Sequence, residues 1–335
     1  MTRTSPTDPM SAAASLLAPI ALFAFKRPRH TEWALKSLLA NPEAMHSPLH
    51  IFCDGPRNAI DAVEVAALRE VVRKLAPKHA VVLERESNLG LDRSIIAGVS
   101  QLCANHGRVI VMEDDLEVAP DFLAYLNAAL TRYADEPRVM QVSAYQFPVS
   151  IPATGSATNA AVLLPYATSW GWATWQRAWQ PEQSAAPMLA ALKDDAALRR
   201  RFDLDGSYPY FRMLKRNLEK PVPAWDISFY ARIFAQQGLA VHPRVSRVRN
   251  NGFDGSGSTC GRYATQAIRL DAGPGDWRFP PAMQVDDAAY SAIKRHLGRE
   301  SSLPMKLMRR IEARLPWLSP QAASARDAQD ARSTI

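Results

Sequence analysis

Four short apolar runs separated by stretches of helical period constrain this chain more than any other feature. They are "PIALFAF" from Pro19, "LHIFCD" from Leu49, "HAVVLE" from His79 and "RVIVM" from Arg108. Between them the pattern predicts helices over Pro28 to Ala40, Asp61 to Leu75 and Asp92 to Asn105. In the second of these, Val65, Leu68, Val72 and Leu75 recur at steps of three or four. Strands that are apolar on both faces and alternate with helices specify a mostly parallel sheet covered on both sides. The first 115 residues therefore read as an α/β half of the nucleotide-binding type. Ligands of such sheets lie in the crevice beyond the carboxyl ends of the strands. Polar residues stand at three of these ends: "KRPR" after "IALFAF", Asp54 after "LHIFC", and Glu113, Asp114 and Asp115 after "VIVM".

The formal charge of +7 suggests an anionic partner only if it is spread over the fold, and it is not. Residues 291 to 314 hold seven Lys/Arg against two Glu, so the rest is close to neutral, which excludes a nucleic-acid surface across the body. The three cysteines, Cys53, Cys103 and Cys260, form no close pair and no zinc spacing, as expected of free thiols in a reducing compartment. The apolar stretch from Ala12 is shorter than the roughly 18 to 20 residues of a membrane span and is interrupted by Pro19. It reads as a buried first strand after a loose tail, with a poor signal peptide as the alternative.

Three adjacent carboxylates repel one another. Along an extended strand end, side chains i and i+2 share a face, so Glu113 and Asp115 can converge while Asp114 points elsewhere. A hard cation such as Mg²⁺ or Mn²⁺ between them would offset the repulsion, and such an ion shares itself with substrate phosphates. The alternative is a solvated acidic loop ahead of a helix N-terminus, where negative charge is favoured. A glycosidase pair is a poor fit, because its carboxylates must flank a sugar from opposite sides.

Further along, a helix is expected from Pro120 to Tyr133, a strand at "RVMQVSAY", and a Pro/Gly/Ser/Thr-rich loop from Phe147 to Asn159. Polar helices follow over 182 to 220, then a helix begins at "PAWDISFYARIFAQQ", with "LAVHPRVSRV" extended and "NNGFDGSGSTCGR" a glycine-rich loop. Four tryptophans fall within ten residues, and Trp172, Trp175 and Trp179 follow helical spacing, as on a packed helix face. Trp170 lies ahead of them in "TSWGW", where an aromatic face can pack on a sugar and Gly171 permits close approach.

These segments, "LFAFKRPRHTEWALKSLLAN", "IFCDGPR", "NLGLDRSIIAGVS", "VIVMEDDLEVAPDFLAYL" and "TSWGWATWQRAW", resemble GT-A fold, nucleotide-sugar-dependent glycosyltransferases. The chain is most similar to bacterial family 2 type sugar transferases of polysaccharide gene clusters and to the Golgi N-acetylglucosaminyltransferase I family, over roughly Pro19 to Arg262. The resemblance implies a GT-A (Rossmann-like) α/β fold, a mostly parallel central sheet flanked by helices with a mixed acceptor-side part. It implies that Asp115 binds Mn²⁺ (or Mg²⁺) bridging the phosphates of a UDP-sugar, with Glu113 and Asp114 near donor sugar and ribose. Asp54 matches the residue that reads uracil, and Arg27 the arginine near the phosphates; Arg93 is a further candidate for that pocket. For Asp54, turn chemistry in "CDGP" is the competing explanation.

On the acceptor side, Trp170 and Trp172 are expected sugar contacts. The family's general base is a carboxylate in a Trp-Asp-Asp-Trp segment; here "AWDIS" offers Asp226 alone, with an N-cap as the competing role. The glycine-rich loop could close over the donor or be a plain linker, and Arg249 and Arg262 bracket it. The expected organisation is a disordered tail (1–18), a nucleotide-sugar half (19–145), an acceptor-binding half of the same domain (146–290), basic amphipathic helices (291–318) and a disordered tail (319–335). In 303–318, Leu307, Met308, Ile311 and Leu315 share a face opposite basic residues, as in an interfacial helix on anionic lipid or an ordinary docked helix.

The resulting expectation is a metal-dependent inverting transferase in bacterial surface polysaccharide assembly, cytoplasmic or peripheral at the inner membrane, with a glycan or lipid-linked acceptor. A sugar nucleotidyltransferase is the first rival, weakened because no glycine follows the first strand in "FKRPRHTEW". A non-catalytic carbohydrate-binding protein is the second.

Overall fold

The computed structural model describes residues 17–151, 161–255, 268, 270, 273, 275 and 277–302. The predicted alternation is realised in order: β1 (Ile20–Ala24), α1 (Pro28–Leu39), β2 (Leu49–Cys53), α2 (Ala59–Leu75), β3 (Val81–Glu84), α3 (Leu91–His106) and β4 (Arg108–Glu113). These four strands run parallel in the order β3-β2-β1-β4. β1 shows why both of its faces had to be apolar. Ile20, Leu22 and Ala24 pack toward Ala34, Leu35 and Leu38 of α1, while Ala21 and Phe23 pack toward Ile95, Val99 and Leu102 of α3. With side chains alternating at period two, one strand serves two helical layers. β3 departs from the expectation: it is the sheet edge, and Val81 and Leu83 are exposed.

The chain continues through β5 (Leu116–Val118), α4 (Phe122–Arg132), β6 (Val139–Ser143), β7 (Ala161–Leu164) and β8 (Trp172–Trp175). Then come α5 (Ala186–Asp194), α6 (Ala196–Phe202), α7 (Tyr210–Leu218), α8 (Trp225–Ala235), β9 (Leu239–Pro243), β10 (Val248–Asn250) and α9 (Asp287–Glu300). The main sheet has eight strands, β3-β2-β1-β4-β8-β6-β9-β7. β8 is antiparallel to β4 and β6, and β7 to β9, so the second half is mixed, as expected. β5 and β10 form a separate antiparallel pair.

Two expectations are corrected. The tryptophan run is not a helix: Trp172 to Trp175 is strand β8, inserted between β4 and β6. Trp172 and Trp175 therefore fall on opposite sheet faces, Trp172 with Trp179, Trp225 and Phe229, and Trp175 with the α1 and α4 layer. Spacing of three suits a helix face, but a chain paired on both edges is held extended whatever its period. Second, α9 crosses the boundary expected at 290. Asp286 caps it by accepting from the Ala289 N–H, and Ala289, Ile293 and Leu297 are buried in the cluster of β7 and α8. Residues 291–300 are thus part of the body, whereas 303–318 lie outside the described residues, as do the tails at 1–16 and 319–335 and most of the glycine-rich loop with Arg262. Among the described residues no helix is long and apolar enough to cross a membrane.

Candidate active site

The crevice begins where β1 ends. Lys26 takes a left-handed backbone, φ 44°, uncommon for a residue with a Cβ and found where surrounding contacts enforce it. That turn separates three neighbours. The Phe25 N–H donates to Asp114 Oδ2 (2.8 Å), and Lys26 Nζ pairs with Asp61 on α2 (2.9 Å), which also binds Arg57 Nε (2.6 Å). Arg27 swings the other way, and its Nη2 reaches both Asp114 and, at 3.1 Å, Asp115 Oδ2. Pro28 then opens α1 at a position where a missing N–H costs nothing.

The triplet does not divide as strand alternation predicted. β4 ends at Glu113 and the chain turns at Asp114 and Asp115, so these two, rather than Glu113 and Asp115, share a partner. The Glu113 carboxylate makes no hydrogen bond or ion pair among the described residues. Burial first, then Asp115 and Asp114, push its carboxyl well above the ordinary range, and Asp226 adds to this. Burial pushes Asp114 up to about 6 against the pull of Arg27, while the two aspartates hold Arg27 above its ordinary value despite its own burial. Two aspartates share one guanidinium, with the Glu113 carboxyl beside them, and a cation would offset their crowding.

The small sheet supplies the far wall. β10 pairs with β5 directly after the triplet, and Arg249 closes on Glu117 at 2.6 Å, so that arginine is committed. The Asn251 N–H donates to the Asp115 carbonyl at 2.8 Å. Gly252 lies against the Asp115 side chain: a Cβ there would stand 3.0 Å from Asp115 Cγ and from Asn250 Oδ1, and closer still to Oδ2. His30 Nε2, on the first turn of α1, meets Asp254 Oδ2 at 3.2 Å.

Beyond this wall a cavity of about 420 Å³ opens, lined by Tyr145, Trp170, Tyr208, Asp226, Phe253 and Glu300 among others. Trp170 stands edge-on to Tyr145 and Phe253, with centroids 4.4 and 5.6 Å apart. Asp226 is not the N-cap of α8; Ala224 is, and Asp226 sits in the first turn, its Oδ1 accepting from the Ile227 N–H (2.7 Å). Burial holds its carboxyl above the ordinary range, with Ile227 and Lys220 opposing.

Of the remaining expected site residues, Trp172 is placed otherwise. Trp172 is fully buried, stacked on Trp225 at 4.6 Å, and cannot touch a sugar. Asp54 is buried, and its oxygens accept from the N–H groups of Gly55, Leu89 and Gly90 and from Asn88 Nδ2, so it fixes the turn before α3. Arg93 is exposed on the first turn of α3, with no ion pair among the described residues. Sequence reasoning missed Gly252, Asp92 and the α9 residues His296 and Glu300 that line the cavity; only the glycine of "NNGF" offered a signal.

Among the described residues no three His, Cys, Asp or Glu gather as a protein cage for a metal. The carboxylates at the end of β4 would instead suit a hard cation that takes its remaining ligands from a substrate and water.

Residues 9–148 match the model of the GNT-I family. Over that stretch the chain is similar to the GNT-I family. The GNT-I-like segment is also 29% identical, over 137 residues, to the alpha-1,3-mannosyl-glycoprotein 2-beta-N-acetylglucosaminyltransferase of Arabidopsis thaliana, covering 38% of this chain and 31% of that one. The match thus spans about a third of the length of that relative. Among solved structures, the mannosyltransferase PcManGT of Pyrobaculum calidifontis, in complex with GDP-Man and Mn²⁺, is similar at 15% identity and TM-score 0.32, covering 49% of this chain and 46% of that one. Glucosyl-3-phosphoglycerate synthase of Mycobacterium tuberculosis, with Mn²⁺ and UDP, is similar at 13% and 0.33, covering 53% and 64%.

Proposed function

We propose that this protein is a metal-dependent inverting glycosyltransferase that moves a sugar, N-acetylglucosamine in the first instance, from a UDP-sugar to a glycan or lipid-linked acceptor. The observation that carries the reading is the convergence of Arg27, Asp114 and Asp115 at the carboxyl ends of β1 and β4, beside an aromatic cavity that contains Asp226. The GNT-I match over the same segment supports the donor class.

Asp115 would hold the divalent ion, with Glu113 as neighbouring charge. When bound, that ion neutralises the charge developing on the departing diphosphate. Arg27 contributes a fixed guanidinium for the phosphate oxygens, already oriented by its bonds to Asp114 and Asp115. The acceptor sugar would pack an apolar face on Trp170 and present its hydroxyl to Asp226, which takes the proton as the anomeric carbon is attacked. A carboxyl held above its ordinary range is a stronger base for that transfer. A role in bacterial surface polysaccharide assembly, in the cytoplasm and at the inner membrane through 303–318, completes the proposal; the basic charge of that segment supports it.

The test is nucleotide release from UDP-, GDP- and dTDP-sugars with Mn²⁺ or EDTA. Release from a UDP-sugar should require Mn²⁺ and fall about 10²-fold or more in Asp115→Ala. Release by that variant at the parental rate would overturn the assignment.

A further inference from the structure

The first turn of α8 carries Asp226, and its backbone bonds are held from two directions. Asn217, on α7, accepts from the Ala224 N–H (2.6 Å) and donates to the Ala224 carbonyl (3.1 Å). The next N–H, that of Trp225, is one of the orphan donors at a helix start. It donates not to a local cap but to Asp92 Oδ1, 133 residues away on the first turn of α3, at 3.1 Å. Ile227 N–H is taken by Asp226 itself, which fixes that carboxylate's rotamer to the helix start.

Asp92 is in turn anchored. The Leu89 and Gly90 N–H groups are bound to Asp54 at the end of β2, and α3 begins at the next residue. Burial raises the Asp92 carboxyl, the Trp225 N–H opposes this, and the charge of Asp226 adds to it. A rigid path therefore runs from the end of β2, through the Asn88–Gly90 turn and Asp92, to the backbone that carries Asp226.

We infer that Asp92 is a positioning residue: it caps α8 from the donor-side half and thereby sets where the Asp226 carboxylate stands in the cavity. This rests on the reading of Asp226 as the base. Misplacing a reacting group by about 1 Å costs on the order of 10²-fold in rate. Asn217 secures Ala224 independently, so losing Asp92 shifts the turn without unravelling α8.

Asp92→Ala removes the acceptor, while Asp92→Asn keeps an oxygen for the Trp225 N–H. Two readouts apply to the full chain: Mn²⁺-dependent nucleotide release from UDP-N-acetylglucosamine, and amide hydrogen exchange across 224–228. Asp92→Ala should release nucleotide at least tenfold more slowly, with UDP affinity unchanged and exchange at Trp225 accelerated. Asp92→Asn should stay within about threefold of the parent in both. Parental rate and exchange in Asp92→Ala, or equal losses in the two variants, would overturn the inference. A parent that releases no nucleotide from any sugar donor would instead defeat the functional reading, and the exchange data would still decide whether Asp92 holds this turn.

Discussion

Gly252 is the most informative single position in the crevice. Its φ lies outside the left-handed range, so an alanine backbone fits; the obstacle is space. An added Cβ would stand 3.0 Å from Asp115 Cγ and closer to Oδ2, where ordinary contact needs about 3.5 Å or more. Asp115 has a short side chain and must rotate by roughly 1 Å, which also stretches its 3.1 Å bond to Arg27. The stability cost should be small, about 1 kcal/mol, because overpacking is partly offset by the lower entropy of the unfolded Ala chain. The effect on a metal and diphosphate site should be much larger: a ligand displaced by about 1 Å predicts a loss of roughly 10²-fold, or about 3 kcal/mol. Calorimetric titration of UDP in the presence of Mn²⁺ measures it directly. If Asp115 is the element disturbed, Gly252→Ala combined with Asp115→Ala should be no worse than Asp115→Ala alone. Unchanged UDP affinity in Gly252→Ala, or full additivity in the double variant, would refute the placement of Asp115 at the ion.

Asp54→Ala should destabilise the protein by about 3 kcal/mol in urea unfolding, because three backbone N–H groups and Asn88 lose one buried acceptor; Asp54→Asn should cost less, since one oxygen remains. An Asp54→Ala variant as stable as the parent would show that these bonds do not hold the turn. His242 is fully buried between the Tyr145 and Tyr166 carbonyls, and burial lowers its pKa to about 4. The unfolded chain then takes up this proton first, so stability should decline as pH falls from about 6.5 to about 4, by at most ~3 kcal/mol from this group, and level off below. Chemical denaturation at a series of pH values, with His242→Gln for comparison, checks the slope; identical slopes would show that His242 does not drive it.

The sequence by itself determined the α/β half and the address of the site. Runs such as "IALFAF" and "VIVM", apolar on both faces, can only be strands between helical layers, and their carboxyl ends had to bring "KRPR" and the acidic triplet into one crevice. That is local information, carried by composition and period. What the tertiary structure decided is everything that depends on a partner distant in the chain. Trp172 to Trp175 became a strand because β4 and β6 pair with it on both sides, and this removed Trp172 from any ligand surface while leaving Trp170 in the cavity. The oxygens of Asp54 were taken up by a turn 34 to 36 residues away. Arg27 chose Asp114 and Asp115 over Glu113 because the chain turns immediately after β4, which no alternation rule foresees. The cap on α8 comes from Asp92, in the other half of the molecule. A side chain's chemistry is written in its type, but whether that chemistry faces a ligand or a backbone amide is settled by which distant segment reaches its hydrogen-bonding atoms first.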